Sequence, residues 1–298
     1  MKRVGYFFLC LLPLFASIGL QNLVAIPLFG ISAILILLRE NSALALGQLL
    51  DECSNLWTSS SFTTWISLIY ATASIFLFIF WYRKKIAEEQ EQVPFPHAFN
   101  KQIVIGTLLL AAGLQYMTTY LMNFVGVLRP DWMQAYESLM RTAGITSPSI
   151  LMIIYACILG PISEEFIFRG VTYGYAKKVV PVAAAVCIQA VLFGIFHMNM
   201  IQGIYATFIG LFLGYICEAG GTIAHSVLLH IFFNLCGLFV NPYMYYQNGH
   251  LFYFLLWLTL GVLMAYAGIF LFQHGIAIRD KNLYSKTYSC IGTNGTKK

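Results

Sequence analysis

Ser163-Glu164-Glu165-Phe166-Ile167-Phe168-Arg169-Gly170 puts two carboxylates and a guanidinium inside a very apolar stretch. A charged side chain in hydrocarbon costs about 2.5 kcal/mol or more even on lenient insertion scales, so such residues face a protein interior or a water-filled cavity and mark function. The run therefore implies a helix inside a membrane protein and locates the place where chemistry is expected.

The whole chain agrees with that reading. Of 298 residues, 59% are hydrophobic and only 10% charged, against roughly 25% charged in soluble domains. One polytopic, all-α membrane bundle is expected rather than two soluble domains. The seven cysteines are scattered and mostly lie in apolar runs, where a thiol behaves as a small hydrophobe, and no CxxC or zinc-ribbon spacing occurs. The net charge of +5 reflects membrane orientation rather than a nucleic-acid partner.

Eight apolar spans are read along the chain, at residues 4–38, 62–82, 102–128, 149–176, 182–197, 202–217, 222–240 and 251–273. The first is taken as one uncleaved span, kinked or tilted at Pro13 and Pro27, since 15–17 is a poor signal-cleavage site. Residues 39–61 are expected as a loop, 83–101 as a solvated connector, 241–249 as a turn and 274–298 as a polar tail. Ser147-Pro148-Ser149 carries the chemistry of a helix start. With eight spans both termini share a side, which then holds 14 of the 17 Lys and Arg; both termini are expected in the cytoplasm. Glycines at 170, 174, 210 and 214 offer small faces for close helix approach. Three parts are expected: N-terminal helices at 1–147, a catalytic helical core at 148–240, and a last helix with its tail at 241–298.

Helical geometry sorts the acidic run. Glu165 and Arg169 are four apart, about 40° around an α-helix, and can pair; Glu164 is about 140° from Arg169 and is left for substrate or water. Phe193-xxx-His197 and His230-xxx-Asn234 each place two groups one turn apart. A hairpin turning near Val180-Pro181 leaves Glu164 and His197 about 16 residues away on either side, at equal depth for a constant helical rise. A glutamate beside a histidine can share a water and take its proton, while a histidine and an asparagine are donors for the oxyanion formed when water adds to an amide. Taken singly, each group has a plainer reading, as the stabiliser of a polar helix end or of a last-turn carbonyl. No serine or cysteine stands in a nucleophile context, and His225, five before His230, is expected on another face as a structural residue.

Glu164-Glu165-xxx-Arg169, Phe193-xxx-His197 and His230-xxx-Asn234, in that order, resemble the three motifs of the CPBP family, the intramembrane proteases related to the CAAX prenyl endopeptidase and also called Abi. The resemblance covers about residues 148–240. It implies peptide-bond hydrolysis within the membrane, with Glu164 and His197 activating water, His230 and Asn234 forming the oxyanion site, and Glu165, Arg169 and Phe193 in support. It implies a multi-pass cell-membrane protein whose partners are the lipid bilayer and a peptide or membrane-protein substrate, in settings such as bacteriocin maturation, immunity or peptide processing. Prenylated substrates do not follow from it, and the chain's own Cys290 lies too far from residue 298 to form a CaaX box. Family members have been classed both as metalloproteases and as glutamate-dependent proteases, so a divalent metal such as zinc stays open, with Glu164, His197 and His230 as its ligand set if one is used. The alternative classes are a non-catalytic membrane scaffold and a proton-coupled transporter relaying protons through the buried acids.

Overall fold

The computed structural model describes residues 2–39, 45–90, 93–240 and 251–293, and among these every regular element is helical. In chain order the principal helices are α1 (Lys2–Arg39), α2 (Leu46–Trp57), α3 (Ser60–Lys85), α4 (Lys101–Leu128), α5 (Pro130–Thr142), α6 (Ile150–Ala176), α7 (Val182–Phe196), α8 (Met200–Gly220), α9 (Ile223–Phe239) and α10 (Leu251–Thr293). Six of them, α1, α3, α4, α6, α8 and α10, are long and apolar enough to cross a membrane. The apolar helices α7 and α9 are shorter: the 15 residues of α7 span about 22 Å, less than a hydrocarbon core of about 30 Å. The composition is that of a multi-pass membrane protein.

Several segments differ from the sequence expectation. The expected loop at 39–61 contains α2, which lies on α1: Trp57 Nε1 donates to Ser32 Oγ at 2.8 Å, and the Trp57 ring meets Phe29 edge-on. The polar stretch after Arg129, to which the sequence reading assigns no element, forms α5, with Pro130 in its first turn, Asp131 beside it and Arg141 in its last turn, a distribution that suits the helix dipole. The 83–101 connector is not merely solvated, because Ile86, Val93 and Ala98 are buried. The last helix does not stop at Gln273 but continues to Thr293. The cap of α6 is Ser149, whose Oγ accepts from Met152 N, rather than Ser147. The turn expected at 241–249 lies outside the described residues.

Two compact units are formed, one by Met1–Glu88 with Met122–Leu211, the other by Glu89–Leu121 with Phe212–Lys298. In the first, α1 and α3 pack against α6, and α7 meets α8 where Gly194 faces Gly203 and Thr207; a Cβ on Gly194 would overlap Thr207 Oγ1. Gly210 serves the same end, since a Cβ there would stand 2.9 Å from Ala190 Cα.

In the second unit, α4 and α10 meet through glycines spaced by seven, Gly106 and Gly113 against Gly261, Gly268 and Gly275. Close approach through small residues is how helices gain contact in lipid, where no hydrophobic drive separates them from solvent. A Cβ on Gly268 would overlap the Leu110 amide nitrogen and lie 2.7 Å from the Gly106 carbonyl oxygen. Backbone cannot rotate away as a side chain can, so Gly268→Ala is expected to cost about 1–3 kcal/mol or more and to lower the thermal midpoint in detergent. An unchanged midpoint would show that the two helices tolerate separation.

Candidate active site

The acidic pair lies in a short α-helical piece, Gly160–Glu165, flanked by two π-helical runs, Tyr155–Leu159 and Phe166–Thr172. Pro161 has no amide hydrogen and its ring crowds the carbonyl four residues back. The wider turn before it relieves that crowding, and the Gly160 amide donates five residues back to Tyr155 O. Such turns are rare and concentrate at functional sites. They also change the angular argument. A π-turn is wider than an α-turn and bonds to the fifth residue rather than the fourth, so the 140° separation of Glu164 from Arg169 does not carry over to this segment.

Arg169 pairs with Glu165: Nη1 stands 2.9 Å from Oε1, and both side chains are fully buried. The guanidinium also lies over the Phe193 ring, 4.4 Å from its centroid, and Nη2 reaches Gly210 O at 3.4 Å. Gln189 Nε2 donates to the same carbonyl at 2.7 Å. Arg169 thus joins α6, α7 and α8 within the first unit, through charge, ring face and backbone.

Phe193 passes this order on to His197, which sits at the end of α7 with its ring edge-on to Phe193 at 4.8 Å. The Nδ1 of His197 is 2.9 Å from Phe193 O. A carbonyl only accepts, so Nδ1 carries the proton and the lone pair of a neutral imidazole falls on Nε2. His197 therefore caps a last-turn carbonyl and at the same time presents a base. The chain then turns sharply. Met198 takes a left-handed φ of 52°, and Asn199 Oδ1 accepts from Gln202 N to open α8. A non-glycine residue in that conformation beside a candidate site is notable.

Around Glu164, itself half-buried, the structure gathers hydroxyl groups that sequence reading did not single out. Tyr70, Tyr155 and Tyr205 all lie within electrostatic range of its carboxylate. Ser17 and Tyr70 share a buried hydrogen bond of 2.5 Å, Ser74 bonds Tyr70, and Ser163 Oγ donates to Ser74 Oγ at 2.7 Å. Tyr155 bonds Ser67, and Tyr205 bonds Tyr136 and Gln202. The carboxylate thus has a polar surround carried on α1, α3, α6 and α8. Serines and tyrosines are frequent in this chain, and no local spacing announces partners that lie 53 and 89 residues apart.

His230 and Asn234 belong to the second unit, one turn apart on α9, with His230 buried and Asn234 half-buried. The start of α9 is pinned through His225. Its Nε2 donates to Ala98 O at 2.8 Å, and its ring is held edge-on by Phe99 and Phe272. Arg279 Nη1 donates to Gly220 O at 2.8 Å beside it. His225→Leu would leave the Ala98 carbonyl buried without that donor, at a cost of about 1–3 kcal/mol. The expected result is a lower thermal midpoint in detergent, and an unchanged one would remove His225 as the anchor of the connector. Among the described residues no group of three or more His, Cys, Asp or Glu side chains is placed to hold a metal ion.

Searches of curated proteins and of solved structures give no match. Residues 146–236, which carry all three candidate motifs, match the family described as type II CAAX prenyl endopeptidase, Rce1-like. This segment is an Rce1-like domain of the CPBP family, a family of peptide-bond hydrolases.

Proposed function

We propose that the chain is an intramembrane endopeptidase that hydrolyses a peptide bond of a membrane-associated peptide or protein. In this reading Glu164 and the Nε2 of His197 take a proton from water as its oxygen adds to the scissile carbonyl carbon. His230 and Asn234 donate to the oxyanion. Its collapse breaks the carbon–nitrogen bond, and the stored proton passes to the leaving amine. Glu165, Arg169 and Phe193 hold the framework. The observation that carries the reading is the run of contacts from Glu165 through Arg169 and Phe193 to His197, because it orients an imidazole base from the same helix segment that bears Glu164.

The eight apolar helices are read as eight spans of a cell-membrane protein, the shorter α7 and α9 matched by local thinning of the bilayer, with both termini cytoplasmic on the bias of Lys and Arg toward that side. Residues 148–240 are read as the catalytic core, preceded by N-terminal helices at 1–147 and followed by the last helix. Bacteriocin maturation, immunity and peptide processing are the settings this activity fits.

The test is cleavage of candidate membrane peptides by the purified protein in detergent, with Glu164→Ala and His197→Ala beside the wild type. Cleavage by both variants at the wild-type rate would end the assignment of those residues. A chelator arm separates metal-dependent from metal-independent hydrolysis without bearing on the peptide-bond chemistry.

A further inference from the structure

The outer face of α3 joins an apolar stripe to a pair of cations. Phe76, Ile79, Phe80, Arg83 and Lys84 line a shallow, open hollow of about 490 Å³, and their spacing of three and four residues puts them on one helical stripe. The opposite stripe, with Tyr70, Ser74, Phe78 and Tyr82, is buried in the first unit. Phe76 and Phe80 are instead 73% and 63% exposed. The stripe is apolar for more than a turn and then ends in two cations, with Lys84 Nζ 5.4 Å over the Phe80 ring.

The same end of the unit carries the marks of headgroup depth. Trp81 Nε1 donates to Tyr175 OH at 3.1 Å, Tyr6 stacks on Tyr175, and Lys178 lies over both tyrosine rings. Tryptophan, tyrosine and basic side chains collect at that level of a bilayer, and basic clusters there attract anionic lipid.

We propose that the Phe76–Lys84 stripe binds an anionic phospholipid, its acyl chain along Phe76, Ile79 and Phe80 and its phosphate between Arg83 and Lys84. The inference is independent of the proposed protease chemistry.

Native mass spectrometry of the full chain in detergent, titrated with phosphatidylglycerol or phosphatidylcholine, tests it. The wild type is expected to retain phosphatidylglycerol in preference. Arg83→Gln/Lys84→Gln is expected to weaken that retention on the order of tenfold, while Arg83→Lys/Lys84→Arg keeps it. Lys101→Gln/Arg141→Gln makes the same change of charge elsewhere and is expected to have no effect. Phe76→Ala/Phe80→Ala is expected to lower retention of both lipids. Where the double glutamine variant does not fold, as judged by circular dichroism, either single glutamine variant is expected to show a smaller loss in the same direction. Retention unchanged in the glutamine variants, or lost equally in the Lys101/Arg141 control, would overturn the site. Displacement of phosphatidylglycerol by millimolar inorganic phosphate would overturn the lipid as its occupant.

Discussion

Glu164→Gln is expected to slow peptide cleavage by about 10²- to 10⁴-fold, the usual worth of a positioned general base, and to leave the protein folded. Glutamine keeps the size and the hydrogen-bonding oxygen but cannot take a proton. Glu164 is half-buried and its helix is held by the neighbouring Glu165–Arg169 pair, so the thermal midpoint is expected to stay near that of the wild type. His197→Ala should give a comparable kinetic loss with a lower midpoint, because it also removes the bond to Phe193 O, worth about 1 kcal/mol. The decisive comparison is the double variant. Two groups that act on one water are strongly non-additive, so Glu164→Gln/His197→Ala is expected to be no slower than the slower single variant. Losses that multiply would show that the two residues serve separate steps, and the shared-water scheme would fall.

What could be read in advance followed the range of the interactions. The Glu165–Arg169 pairing is local and can be drawn from spacing alone, as can an imidazole at the end of α7 facing a last-turn carbonyl. Three things could not be read that way. The π-turns around Glu164 depend on how Pro161 and the packed flanks share the strain. The hydroxyls of Ser17, Tyr70 and Ser74 find Ser163 and Glu164 only after α1, α3 and α6 have packed. The setting of His225 needs Ala98 and Phe272, residues far away in sequence. Other features were present in the chain but carried weak signals. Pro130, Asp131 and Arg141 mark both ends of α5, yet a helix this polar carries no apolar run to announce it. The seven-residue spacing of glycines in α4 and α10 is plain once the two helices are paired, but it is not the four-residue small-xxx-small spacing that marks close helix approach.

The buried pair yields the second large effect, and it separates framework from chemistry. Arg169→Ala leaves the Glu165 carboxylate in the interior without its cation, and removing one partner of such a pair costs about 3–5 kcal/mol. Thermal unfolding in detergent is expected to show a large drop in midpoint, with cleavage lost through unfolding rather than through a slower chemical step. Arg169→Lys is expected to recover little, because an ammonium lacks the planar face that lies over Phe193 and the fork that reaches Glu165 and Gly210 together. Replacing both partners by apolar residues of similar volume removes the unpaired charge, and such exchanges are often neutral or stabilising. Gly210 O keeps the Gln189 donor, so Glu165→Leu/Arg169→Met orphans no carbonyl there. The double variant is therefore expected to regain most of the lost stability. Its activity then discriminates. If the pair only holds α6 against α7, cleavage recovers with the fold. A stable double variant with cleavage still down a hundredfold or more would mean that Glu165 or Arg169 acts on the substrate or its water, and the division of labour between Glu164 and Glu165 would have to be redrawn.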